Sequence, residues 1–340
     1  MSEHDLLLES ADAHFNGERF FNPPCYRPDE HLSPKTAPER ARNIFRWQMG
    51  LRPRWPDALP PTAMYPLPSP KPGECVATFI NHATVLLQFG RKERQPLRIS
   101  TDLIFSERCS PIRNMGPKRV REPGLPLNEL PPIDIILVSH CHYDHLDLPT
   151  LRHLAGRDDP LCISFPGNRR HLEKAGLPRI VELDWWESLN VDGACITATP
   201  ALHGSARTPF DSNRALWGSF MIEADDHRVF FAGDTAWGKH FDVIRQRCGV
   251  PDLALIPIGA YAPRDLMRRV HMCPEEAVKT FEALGTNNAI GIHFNTFQLT
   301  DEGILEPAGR LKIAMHHHAG RFEVLDNGES RTLPPPRTSR

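Results

Sequence analysis

The 340-residue chain has no cysteine framework. Its eight cysteines, at 25, 75, 109, 141, 162, 195, 248 and 273, include no C-x-x-C pair and no tight cluster, which argues against a disulfide-stapled scaffold. Scattered thiols suit a reducing compartment, so a cytoplasmic location is expected. No run approaches 18 consecutive apolar residues, and no membrane-spanning helix is predicted. The N-terminus, Met1-Ser-Glu-His-Asp, is acidic where an export signal would be basic and then apolar. Excess positive charge is missing too. Forty Lys and Arg against 42 Asp and Glu leave −2, a balance that does not indicate bulk nucleic-acid binding. Internal repeats are absent.

What the chain does have is ordinary globular material, 40% hydrophobic and 24% charged, with a surplus of proline. Thirteen of its 34 prolines precede residue 76. Residues 1–74 therefore read as an extended arm, broken by one amphipathic helix over Ala37–Met49. Phe20, Phe21, Trp47 and Trp55 are its anchors. They are expected to pack on the body, with peripheral contact to the inner face of a membrane as the other use of such aromatics. Residues 75–330 form the body and 331–340 a flexible tail.

Within the body, short apolar or β-branched runs alternate with turn residues: 76–80, 84–89, 97–100, 133–138, 161–165, 180–183, 196–201, 219–223, 229–232, 253–256, 289–293 and 322–325. So many strands do not fit one flat sheet. Helical spacing near 149–155, 168–175, 239–247, 274–284 and 303–316 predicts two sheets with helices outside, an α/β fold of four layers in the order αββα. Pro274, followed by Glu275 and Glu276, marks the clearest helix start.

The chemistry concentrates in Ser139-His140-Cys-His142-Tyr-Asp144-His145-Leu-Asp147, just after a buried-strand pattern. In extended backbone, side chains two apart point the same way, so His140 and His142 can converge on one metal ion. A turn into helix would carry Asp144 and His145 to a second. Carboxylate beside imidazole suits Zn²⁺, with Mn²⁺ and Fe²⁺ as alternatives. More ligands are needed, and His203, Asp234 and His293 each directly follow a predicted strand. Singly, each is as readily a turn residue; together they would gather on one rim of a rigid scaffold. Asp147 reads either as an acceptor for a ligand's imidazole N–H or as a helix N-terminal carboxylate. Lys118 and Arg119, in Gly-Pro-Lys-Arg, are candidates for steering a phosphate, and Tyr261 and Arg264, after another strand end, for touching substrate. His316–His318 lie in a helical pattern and read as a helix face.

These segments, together with Thr78-Phe-Ile-Asn-His-Ala-Thr, Leu216-Trp-Gly-Ser-Phe, Gly233-Asp-Thr, Pro257-Ile-Gly-Ala-Tyr and His293-Phe-Asn-Thr-Phe, resemble the metallo-β-lactamase fold superfamily of hydrolases. Within it the chain is similar to the N-acylphosphatidylethanolamine-hydrolysing phospholipase D group and its bacterial relatives. The resemblance implies two Zn²⁺ per chain: one held by His140, His142 and His203, a second by Asp144, His145 and His293, and Asp234 bridging both. Asp144 and Asp234 would be the carboxylates of catalysis, with His82 close by. Two such ions lower the pKa of a shared water toward neutrality and provide a nucleophile for a phosphodiester. The implied activity is hydrolysis of N-acylphosphatidylethanolamine or a related phosphodiester. The alternative is a lactonase or esterase on a small, phosphorylated or other metabolite. The chain departs from the phospholipase pattern at Gly204, Ala262, Asp265, Phe294 and Asn295, all expected at the substrate mouth. Pairing with a second copy is left open.

Overall fold

A computed structural model describes residues 13–27, 54–60, 63 and 65–335. The expected helix over Ala37–Met49, and Trp47 with it, lies outside these residues. Two seven-stranded sheets face each other. The first holds β1 (Cys75–Asn81), β2 (Thr84–Phe89), β3 (Leu97–Thr101), β4 (Ile135–Leu137), β5 (Leu161–Ser164) and β6 (Arg179–Glu182), with β14 (Ser330–Leu333) at its edge beside β1. The second runs in sequence order from β7 (Ser188–Val191) through β8 (Ala194–Thr199), β9 (Ser219–Ala224), β10 (His227–Phe231), β11 (Leu253–Pro257) and β12 (Asn288–Ile292) to β13 (Arg321–Glu323).

Each sheet has an antiparallel part and a parallel part, β3 to β6 in one and β10 to β13 in the other. Parallel neighbours cannot be joined by a tight turn, so these crossovers are where the helices sit. Helix α1 (Leu148–Asp158) links β4 to β5, α2 (Arg169–Leu172) β5 to β6, and α3 (His240–Cys248) β10 to β11. Helices α4 (Arg264–Met267) and α5 (Pro274–Leu284) link β11 to β12, and α6 (Glu306–Ala314) β12 to β13. At the start of α5 the Cys273 backbone N–H donates to Glu276 Oε2 at 3.1 Å, closing the predicted N-terminus.

The four-layer α/β sandwich follows from burial on both faces. Ile135 and Leu137 enter the core between the sheets, while Ile136 and Val138 join a second cluster with Leu151 and Leu154 of α1. Alternating side chains then demand an unbroken apolar run, and Ile135–Val138 supplies one. Two strands were not anticipated. β7 and β14 are short, polar edge strands whose sequences, Ser-Leu-Asn-Val and Ser-Arg-Thr-Leu, lack that run. Because Cys75 pairs with Leu333, the sheet continues past residue 330, and residues 331–333 of the expected flexible tail are ordered strand. The described part of the arm lies on the body: Tyr26 is wholly buried, Phe20 packs against the inter-sheet core and Trp55 donates its indole N–H to the Glu302 carbonyl at 2.8 Å.

His240, in the first turn of α3, is fully buried; its Nε2 lies 3.2 Å from Thr235 Oγ1 and its Nδ1 has no partner. Burial pushes its pKa down to about 3. An unfolded histidine takes up its proton near pH 6.5, so between about 6.5 and about 3 the unfolded chain binds the extra proton. Stability is then lost as pH falls through that window, by about 1.4 kcal/mol per unit from this residue. Thr235 keeps its bonds to Leu202 N–H and the Ala236 carbonyl without the ring. His240→Leu should therefore unfold in urea with a shallower loss of stability between pH 6.5 and 4 than the parent; equal slopes would contradict this role.

Candidate metal centre

The candidate donors stand at strand ends on one rim. His82 follows β1, Asp102 follows β3, and His140, His142, Asp144 and His145 follow β4; from the facing sheet, His203 follows β8, Asp234 β10 and His293 β12. Close approach of these loops is built into the sequence. Gly233 has φ +57°, and a Cβ there would meet Ser139 Cβ at 2.6 Å; a Cβ on Gly259 would meet the His293 carbonyl at 2.2 Å. Three rim residues themselves take left-handed backbone, His82 (φ +48°), Asp102 (+33°) and His293 (+60°). Each costs about 1–2 kcal/mol. Fixed bonds hold them there: His293 N–H to the His82 carbonyl at 2.7 Å, His82 N–H to Thr296 Oγ1 at 3.1 Å, and Asp102 N–H to the Leu137 carbonyl at 2.9 Å.

Two groups of donors result. In the first, His142 Nδ1 lies 2.8 Å from His140 Nε2 and 3.2 Å from His203 Nε2. In the second, Asp144 Oδ2 lies 3.0 Å from His82 Nε2, 3.2 Å from His293 Nε2 and 3.3 Å from His145 Nε2. Asp234 Oδ2 stands between them, 3.2 Å from the Nε2 atoms of His145 and His293 and 3.7 Å from that of His203. His271 Nδ1 is 3.8 Å from the same oxygen.

Outward bonds fix which nitrogens carry protons. The Ser139 hydroxyl hydrogen goes to Asp102 Oδ2, so toward His140 Nδ1, 2.9 Å away, that oxygen accepts. His203 Nδ1 donates to the Val270 carbonyl at 2.9 Å, and His145 Nδ1 to Asp102 Oδ2 at 2.6 Å. In their neutral forms all three rings then turn bare Nε2 lone pairs inward. Burial, and after it neighbouring imidazoles, holds the pKa of His140 well below the ordinary value and that of His142 down at about 3. Asp144 and Asp234 are pushed up by burial, but the facing imidazoles, His145 foremost, outweigh this and hold both well below the usual carboxylate range. The donors are thus in their ligand forms at neutral pH. His145 is the exception: against the effect of burial, Asp234, Asp144 and Asp102 drive its pKa well up. Yet its Nε2, like Asp234 Oδ1, makes no hydrogen bond. A proton there is poorly placed, and a cation between the carboxylates would supply the positive charge instead. The donor set fits divalent metal.

The structure brings together all seven nominated ligands and gives the four nominated substrate residues other partners. Lys118 pairs with Glu107 on the surface at 2.9 Å. Arg119 is buried and donates Nε and Nη2 to the carbonyls of Ser106 and Ile104. The Tyr261 hydroxyl donates to Glu306, and Arg264 holds both carboxylate oxygens of Glu276. Asp147 accepts no imidazole; it precedes α1 and receives the N–H groups of Phe105 and Ser106. The imidazole acceptor is Asp102, which strand-end reasoning would have found had it been extended to β3. His271 was also missed, since it follows no strand. Arg207 was a third omission: its Nη1 donates to the carbonyls of Cys141 and Leu146, both at 2.8 Å, bracketing the ligand loop.

Residues 98–294 match the family described as the beta-lactamase superfamily domain. The chain belongs to that family. It is 39% identical over 224 residues to the N-acyl-phosphatidylethanolamine-hydrolyzing phospholipase D, mitochondrial, of Saccharomyces cerevisiae, a match taking in 64% of this chain and 48% of the yeast protein. The chain thus spans about half the length of that relative. Over 269 residues it is 35% identical to N-acyl-phosphatidylethanolamine-hydrolyzing phospholipase D 1 of Caenorhabditis elegans, covering 74% of each chain. Among solved structures, an isothiocyanate hydrolase from Delia radicum gut bacteria superposes with a TM-score of 0.60 at 21% identity, over 76% of this chain and 99% of that one. That likeness shows the shared fold. This superfamily member is a metal-dependent hydrolase built on the αββα sandwich.

Asp102 is the outer support of this beta-lactamase-superfamily site. Asp102→Asn keeps the side chain's shape but points an amide N–H₂ at Ser139 or His145, both of which donate. Zinc affinity, measured by competition with a chelating dye, should fall about 10- to 100-fold while the far-ultraviolet circular dichroism stays the same. Unchanged affinity would show that Asp102 does not orient the donors.

Proposed function

We propose that the chain is a dinuclear zinc phosphodiesterase of the phospholipase D type, acting on N-acylphosphatidylethanolamine or a related phosphodiester. Residues 75–330 would carry the chemistry, and of the preceding arm the described residues lie against it. His140, His142 and His203 would hold one ion, Asp144, His145 and His293 the other, and Asp234 both. The observation that carries this reading is the position of Asp234 Oδ2 within 3.2 to 3.7 Å of ring nitrogens from both donor groups. The relatives' phospholipase names support the bond type. When bound, such ions supply Lewis acidity for an anionic phosphoryl oxygen and ready ionisation of water.

The protein's own groups do the rest. Asp102 and Ser139 orient the imidazoles. Asp234 keeps the two donor groups at fixed spacing. His271 has a buried Nδ1 with no partner, and its ring lies 5.0 Å from that of His203 and 5.5 Å from that of His293. Burial holds its pKa well below the ordinary value, so at neutral pH it would meet the leaving oxygen as a neutral ring, through a single hydrogen bond. Among the described residues no helix is long and apolar enough to cross a membrane, so a lipid substrate would be met from the aqueous side.

Purified chain should contain about two divalent ions, and chelation should remove them together with hydrolysis of N-acylphosphatidylethanolamine. Asp234→Ala should lose metal and activity together, whereas alanines at His316–His318, which lie at the end of α6 and are in no donor group, should leave metal content unchanged. Lactone opening without turnover of any phosphodiester would replace this reading with the lactonase. His271→Gln should lower kcat about 10²- to 10⁴-fold at full metal content. A loss of one ion in that variant would make His271 a ligand instead.

A further inference from the structure

His82 stands among the donors, yet no step described so far uses it. It occupies the turn after β1, and its Nε2 lies 3.0 Å from Asp144 Oδ2, inside the group formed with Asp144, His145 and His293. The turn is built to hold this ring. His82 keeps left-handed backbone (φ +48°), its N–H donates to Thr296 Oγ1 at 3.1 Å, and its carbonyl accepts the His293 N–H at 2.7 Å. The ring is packed on two sides, its centre 4.2 Å from that of His293 and 5.3 Å from that of Phe297, which lies perpendicular to it. A buried side chain so fixed on strained backbone has one direction.

Hydrogen-bond accounting then tells a metal ligand from a proton donor. His82 is 1% exposed, and its Nδ1 has no protein partner among the described residues. A proton on that nitrogen would be a buried donor with no protein group to receive it, which is costly. On Nε2 the proton meets the Asp144 carboxylate in a charge-assisted bond. The neutral ring therefore carries its one proton on Nε2, the reverse of His140, His145 and His203, whose bare Nε2 atoms face inward. His293 also leaves Nδ1 unpartnered, but its Nε2 stands 3.2 Å from the Oδ2 atoms of both Asp144 and Asp234, where a cation between the carboxylates would offset the cost. Of the carboxylates in this group, His82 is paired with Asp144 alone.

We propose that His82 is a positioning residue and not a metal ligand: its Nε2–H holds the Asp144 carboxylate so that Oδ2 faces His145 and His293, and this sets the affinity of that donor group for its ion. The proposal rests on the assignment of Asp144, His145 and His293 to one ion, and not on the bond that the enzyme cleaves. In the full chain carrying isotope-labelled histidine, the ring-nitrogen NMR signals of His82, identified by their loss in His82→Gln, should show the proton on Nε2 both metal-free and zinc-loaded. In competition with a chelating dye, His82→Leu should hold one of its two ions about 10- to 100-fold more weakly and the other as tightly as the parent. His82→Gln, whose amide N–H₂ can take the place of the ring Nε2–H but offers no ring lone pair, should restore the parent's affinity. A proton on Nδ1 in either state, parent affinity in His82→Leu, or a His82→Gln as weak as His82→Leu would overturn the proposal. If His82→Leu does not fold, the position of the proton in the parent and the affinity of His82→Gln decide. A parent that takes up fewer than two ions would remove the dinuclear reading, while the metal-free spectrum would still test the bond to Asp144. Turnover of a lactone in place of a phosphodiester would leave both measurements as they are.

Discussion

Inward-facing lone pairs in a cleft nearly closed to water set the terms for the rest of the rim. Seven histidines and three aspartates supply the groups of donor atoms gathered there, and nearly all are buried. Neutral imidazoles turned toward one another at 2.8 and 3.2 Å gain nothing from each other, and buried carboxylates without counter-charge are costly. The outer bonds to Asp102, Ser139 and the Val270 carbonyl enforce this arrangement by holding the protons on the outward nitrogens. An arrangement so costly when empty becomes favourable once cations enter. With cations bound, part of the stability of the rim would be metal-binding free energy.

The two sheets make that arrangement rigid. Each donor loop leaves a strand anchored in the core, half-buried on one face in β8, so its starting point is fixed by core packing and not by the loop. The His293 N–H bond to the His82 carbonyl ties the end of β12 to the turn after β1, across the sandwich. Left-handed backbone at His82, Asp102 and His293 is affordable only because of such ties. Strain gathers where the donors are, as at other functional rims.

Much of this was legible in the sequence. The twelve anticipated strands all exist, most of them because strands buried on both faces leave continuous apolar runs; the two omissions, β7 and β14, are edges whose polar sequences lack such a run. The grouping of the candidate donors was legible for a related reason: a His or Asp directly after such a run lies at a strand end. What failed was inference from charge. Lys118, Arg119, Tyr261 and Arg264 looked free to meet a substrate, but their partners Glu107, Glu306 and Glu276 and the carbonyls of Ile104 and Ser106 are set by tertiary packing. Asp102 and His271 were missed from the opposite side. Asp102 stands alone after the anticipated run 97–100, with no second donor beside it, and His271 reaches the centre through a loop.

The same failure applies to net charge. A balance of −2 describes the chain but conceals a separation within the second sheet. At the turns β7–β8 and β9–β10, opposite the rim, Asp192, Glu223, Asp225, Asp226 and Asp252 line one open cavity, offset in part by Arg91 and Arg228. Near the rim, Arg27, Arg268 and Arg269 line another whose described lining holds no carboxylate. Strands β8 and β10 run from the acidic end toward the end where these arginines stand, so the two poles of the sandwich differ in charged lining. Such fields raise encounter rates and fade as salt screens them over about 8–10 Å. For any charged ligand the distribution of charge therefore matters more than its sum, which composition alone reports.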